Sequence, residues 1–161
     1  VFIAHLPAGY LLTKAIQYKT RNHSRHLMWA GLTASIFPDI DLFYFYLIDN
    51  RQTLHHYYIT HLPLAWVAMS LIAWGIFNRV SKKQHFILVG VVFANLMLHM
   101  VLDSIAAGID WLYPLEINLV EVPARYDWWV WNFFLHWTFS SEILIIIAAL
   151  IVWKRACKKT S

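Results

Sequence analysis

Asn95, His99 and Asp103 stand at i, i+4 and i+8. On a helix they form one polar stripe that offers an imidazole and a carboxylate to a single ion, with Asn95 behind them. Asp39 and Asp41 are two residues apart, a spacing that a regular helix would turn to different sides. Pro38, just before them, removes a backbone bond to the preceding turn and predicts a kink or break that can bring both carboxylates inward. His56 and His61 precede Pro63, a residue suited to the first turn of a helix, so they are expected on a loop and helix start rather than on one helical face. Imidazoles and carboxylates without a thiolate suit zinc, manganese or iron better than calcium or a structural zinc site. With two or three His and three Asp, a centre of one or two divalent ions is feasible, zinc or manganese first. Two ions about 3.5–4 Å apart suit the hydrolysis of a phosphate ester. No serine or cysteine stands in a recognisable nucleophile motif, so water is the expected nucleophile.

These groups need elements to hold them, and the composition says of what kind. Of the 161 residues, 60% are hydrophobic and only 14% charged, far from the balance of a soluble domain. The reading is an all-α membrane protein, a bundle of about five transmembrane helices with the second kinked or broken. Apolar runs of bilayer-crossing length lie at 26–48, 59–77, 86–107 and 131–153. A shorter first segment, 1–18, is taken as a retained helix, because no basic residues lead it and no small-residue cleavage site follows. One transmembrane metal-binding domain, 1–153, with a basic tail, 154–161, covers the chain. Cys157 is the lone cysteine, which leaves neither a disulfide nor a thiolate site to build.

The net charge of +4 comes from short basic clusters beside apolar runs, a pattern of topology signals and not of nucleic-acid binding. Lys14, Lys19, Arg21 and Arg25, then Arg79, Lys82 and Lys83, then Lys154, Arg155, Lys158 and Lys159 occupy alternate connections. The other connections, near 49–58 and 108–130, hold Asp49, Asp110, Glu116, Glu121 and Asp127 with only Arg51 and Arg125. By the positive-inside rule the basic connections and the C-terminus are cytoplasmic, and the acidic loops and the start of the chain external. Tyr126, Trp111, Trp128, Trp129 and Trp131 then fall at the outer interface. Asp39, Asp41, Asp103 and Glu142 lie inside apolar spans, where an aspartate at mid-helix costs roughly 2.5–3.5 kcal/mol to insert and normally faces the bundle interior with a partner. This topology sets His5, Asp39, Asp41, His56, His61, His99, Asp103 and His136 in the outer half of the membrane, a common depth obtained without reference to their chemistry.

In order and spacing, Pro38-Asp39-Ile40-Asp41, His56-Tyr57-Tyr58-Ile59-Thr60-His61, His99-Met100-Val101-Leu102-Asp103, Gly108 and Trp111-Leu112-Tyr113-Pro114-Leu115 resemble the YdjM-like family of bacterial inner-membrane proteins, described as metal-dependent hydrolases. The likeness runs from His5 and Gly9 to about Leu115. It implies metal-dependent hydrolysis at the membrane, with His5, Asp39, Asp41, His56, His61, His99 and Asp103 as the matching metal positions. A looser similarity of residue types to zinc-dependent phospholipase C enzymes implies phosphoesters. The family's second motif usually reads His-Arg, two residues, then Thr-His-Ser; here Tyr57 and Leu62 replace the arginine and the serine. Arg51 and Arg125 are left as the outer-loop cations.

The expected function is hydrolysis of a lipid-linked or membrane-proximal phosphate ester at the outer face of a bacterial inner membrane, with lipids as partners. Asp39 and His136 are the catalytic candidates; His136 shares a stripe with Asn132 and Ser140 and serves either substrate or proton transfer. Glu142 is either protonated or the anchor of an outer network. His55 is expected to be a neighbour of the site, and His23, His26 and His85 surface residues. A divalent metal carrier or sensor without hydrolysis is the alternative, and would need polar groups continuing toward the cytoplasm.

Overall fold

The computed structural model describes residues 3–50, 52–53, 55–80, 83–106, 108–115 and 137–158. Their regular elements are all helical, with no strand among the described residues: α1 (His5–Thr20), α2 (Arg25–Ile36), α3 (Asp41–Leu47), α4 (Pro63–Val80), α5 (Lys83–Ala106) and α6 (Trp137–Lys158). Short 3-10 turns at Pro38–Ile40, His55–Tyr57 and Ile59–His61 join them.

Proline punctuates the chain as its chemistry requires. The second apolar segment breaks at Pro38, where the ring removes a backbone donor, and a 3-10 turn hands over to α3 at Asp41. Pro63 opens α4, where its missing N–H would have gone unbonded in any case. Beyond α3, Asp49 accepts the Thr53 N–H at 2.7 Å, and this bond holds its carboxyl below the usual carboxylate range.

Helices α1, α2 and α5 pack mutually, α4 lies on α5, and α6 lies on α1. The interior of this bundle is polar as much as apolar. Leu27, Val91, Leu96 and Met100 share it with His5, Thr13, Gln17, Asn95, His99, Asp103 and Glu142. Outward faces are the reverse: Leu71, Ile72, Trp74 and Ile76 on α4 and Leu144, Ile147, Ile151 and Trp153 on α6 are exposed. Polar inside and apolar outside is the distribution expected of a chain whose solvent is lipid.

Among the described residues, two helices can cross a membrane by length and composition, His85–Ile105 and Trp137–Lys158. This corrects the expected count of about five. The reasons are local: α1 has 16 residues and α2 only 12, roughly 24 and 18 Å at 1.5 Å per residue, short of a hydrocarbon core of about 30 Å. The break at Pro38 prevents α2 and α3 from adding up to one regular span. Helix α6 continues through Lys158, so most of the basic tail belongs to it. His23 and His26 are exposed as expected, but His85 is half-buried with its ring stacked on Phe77 at 5.1 Å.

Candidate metal centre

Three chain segments bring four side chains to one point. Asp39 comes from the 3-10 turn after α2, His61 from the turn before α4, and His99 and Asp103 from successive turns of α5. Each offers one donor atom, and the four atoms lie within 4.8 Å of one another. His61 Nε2 is 3.8 Å from Asp39 Oδ1 and 3.7 Å from Asp103 Oδ2; His99 Nε2 is 3.6 Å from Asp39 Oδ1 and 3.0 Å from Asp103 Oδ2.

The other ring nitrogens are committed elsewhere, which fixes which nitrogen faces the cluster. His99 Nδ1 donates to the Ser35 carbonyl at 2.8 Å, and His61 Nδ1 to Asp41 Oδ2 at 2.7 Å. Thr60 Oγ1 also donates to that Asp41 oxygen. With Nδ1 protonated and bonded, each Nε2 carries the lone pair, the arrangement found around metal-bound imidazoles. Among the described residues no aligned hydrogen bond closes on His99 Nε2, although it is buried. Two imidazoles and two carboxylates converging in this way could hold a metal ion.

The remaining sequence candidates are placed around this cluster. His5, at the start of α1, lies outside the four donors; its Nε2 meets Asp103 Oδ1 at 3.0 Å and its ring stacks on His99 with centroids 3.9 Å apart. Asp41 is on the far nitrogen of His61. His56 is beside the cluster, its ring 5.0 Å from that of His61. His136, Asn132, Arg51, Arg125 and the expected aromatic belt at Tyr126, Trp128, Trp129 and Trp131 fall outside the described residues, as does the side chain of His55. Glu142 is fully buried on α6, where its Oε2 accepts the Ile3 backbone N–H at 2.7 Å, tying the segment ahead of His5 to α6.

Below the cluster Asn95, expected behind His99 and Asp103, joins a polar layer whose other members, Thr13 and Gln17, the sequence reading missed. Asn95 Nδ2 donates to Thr13 Oγ1 at 3.1 Å and to the Val91 carbonyl at 2.8 Å, and Gln17 Nε2 reaches the Ser24 carbonyl at 2.9 Å. The signal was present on α1 as His5, Gly9, Thr13 and Gln17, each four residues from the last and all buried.

A family model described as YdjM inner membrane protein matches residues 1–160. The chain belongs to that family. As a YdjM-family chain it is an inner membrane protein, in keeping with the two apolar helices of crossing length among its described residues. Comparison with curated proteins and with solved structures gives no match.

Proposed function

We propose that this YdjM-family protein is a metal-dependent hydrolase that cleaves a lipid-linked or membrane-proximal phosphate ester at the outer face of the membrane. One observation carries the reading, the convergence of Asp39, His61, His99 and Asp103 within 4.8 Å. Nε2 of each histidine and one oxygen of each aspartate would hold the ion, zinc or manganese; His5 and His56 are the imidazoles nearest for a second. When bound, such an ion supplies Lewis acidity toward a phosphoryl oxygen and lowers the pKa of water at neutral pH. The chain does the positioning. Asp41 and the Ser35 carbonyl orient the two rings, and His5 holds the second oxygen of Asp103. Asp39 is the cluster carboxylate with 28% side-chain exposure, the place where water and substrate arrive and where a proton can be taken up. His136 is retained as the acid–base candidate.

The topology belongs to the same proposal. His5 starts α1, Asp39 follows α2, His61 precedes α4 and Asp103 is near the end of α5, while Lys19, Arg21, Arg25 and Arg79 lie at the opposite ends of α1, α2 and α4, and Arg155 and Lys158 at the end of α6; by the positive-inside rule the cluster then faces outward and the C-terminus the cytoplasm.

Detergent-purified protein is expected to release phosphate or a phosphorylated head from lipid phosphoesters, to stop on chelation, and to resume when zinc or manganese is returned. Metal-loaded protein inert toward both monoester and diester lipids would sink the hydrolase and leave the carrier. That second reading draws on the buried Thr13, Asn95 and Gln17 below the cluster, and zinc uptake into proteoliposomes tests it. If Asp41 orients His61 as an outer-sphere partner, Asp41→Ala lowers metal affinity by about 10–100-fold. Competition against a chromophoric chelator measures this, and an unchanged affinity would remove Asp41 from the site.

A further inference from the structure

The cluster is sealed on most sides. His61 and His99 have no exposed side-chain surface and Asp103 has 6%, so among the described residues the cluster meets the surface at Asp39, with 28%. The rim of that opening is apolar. Phe37 and Ile40, the neighbours of Asp39 on its turn, are 41% and 50% exposed, and Ile59 across the gap is 72% exposed. Phe37 also meets Trp66 edge to face, with centroids 5.8 Å apart, which joins the rim to α4 and so to the apolar outer face of Leu71, Ile72 and Ile76. Among the described residues, Lys and Arg are missing from the same stretches: none of 27–50, 52–53, 55–78, 84–106 or 108–115 contains one, while the outer-loop Arg51 and Arg125 lie outside the described residues. A site that collects a soluble anion from water is expected to show a basic approach.

Resting on the metal-dependent reading above, we propose that the substrate is a phosphate-headed lipid that enters sideways from the bilayer, its head at Asp39 and its chains over Phe37, Ile40 and the outer face of α4. Asp39 and Asp103 alone repel a phosphate. Only a cation among them reverses the sign, so binding of the head requires metal while the apolar rim selects for the tail.

Cobalt substitution tests this without turnover. Full-length protein in maltoside micelles is loaded with Co²⁺, and its visible ligand-field band is followed on adding didecanoyl phosphatidic acid or, separately, glycerol 3-phosphate. The lipid is expected to shift the band at concentrations where glycerol 3-phosphate leaves it unchanged. Ile40→Gln should bind cobalt as before and weaken the lipid response by about tenfold, the effect of giving up one apolar contact of isoleucine size. A shift by glycerol 3-phosphate equal to that by the lipid, or no shift by either, overturns lateral lipid entry. Absence of a cobalt band overturns the metal reading itself, a separate failure.

Discussion

Asp103→Ala is expected to leave the purified protein without its metal. Asp103 is the carboxylate that both cluster histidines and His5 approach. One oxygen faces His61 and His99, at 3.7 and 3.0 Å, and the other is 3.0 Å from His5. Alanine removes one of four donors and half the negative charge at a point where two imidazoles remain. The loss should therefore exceed the roughly 10–100-fold typical of an outer-sphere change, taking elemental analysis from stoichiometric metal to background. Thermal unfolding gives an independent measure. A ligand at a hundredfold excess over its Kd stabilises the protein that binds it by about 2.7 kcal/mol, so zinc should raise the Tm of wild type and not of the variant. Equal metal content in the two proteins, with the helical signal intact in both, would rule out the cluster as the binding site.

Gly31→Ala should destabilise the bundle although it improves a helix former. A methyl on Gly31 would run into Thr13 Oγ1 and come within 3.1 Å of Asn95 Nδ2; one on Gly9 would stand 2.5 Å from Ser35 Oγ and 3.0 Å from Asn95 Oδ1. The two glycines thus let α1 and α2 approach closely and seat Asn95 against both, as small residues do between membrane helices. Alanine gains about 1 kcal/mol in helix propensity, but overpacking a tight contact costs about 1–3 kcal/mol, and here the clash is with a side chain already bonded to Asn95. The balance falls against the variant. Gly75 and Gly90 supply the control, since an added Cβ meets nothing within 4 Å at either; alanine there should be neutral or stabilising. The double variant Thr13→Ala, Gly31→Ala should recover part of the loss, and thermal unfolding of wild type, Thr13→Ala, Gly31→Ala and the double variant in one detergent makes the comparison. A Gly31→Ala protein as stable as Gly90→Ala would contradict the close packing.

Much of the site could be read from covalent chemistry and helical period. Pro38 had to interrupt a helix and Pro63 was suited to begin one, and both do. The Asn95-His99-Asp103 stripe needed only 3.6 residues per turn to become one buried face. Where reasoning from residue types ran out, the partner was a backbone group or a residue distant in sequence. Glu142 caps the Ile3 N–H, a donor present at nearly every position and so without a signature. Asp39 and Asp41 do diverge, as their spacing suggested, yet both reach His61, one toward each ring nitrogen; only the path of the chain from α3 back to α4 decides that. The span count failed for a related reason. Hydropathy registers an apolar run of 26–48, while the geometry at Pro38 divides it into pieces of 12, 3 and 7 residues.

The order in which a ribosome delivers these pieces matters to how the bundle can be made. Helices α1 and α2 emerge first, and the Gly9–Ser35 and Gly31–Thr13 approaches give that hairpin a local means of pairing. Asp39 and Asp41 follow at its tip while neither His61 nor His99 yet exists, and Asn95, which ties α1 to α5, is later still. Until then two carboxylates stand at the rim of an unfinished hairpin with only water to solvate them. The nascent hairpin has reason to keep that end at the membrane surface, and α5 is the element whose arrival closes it.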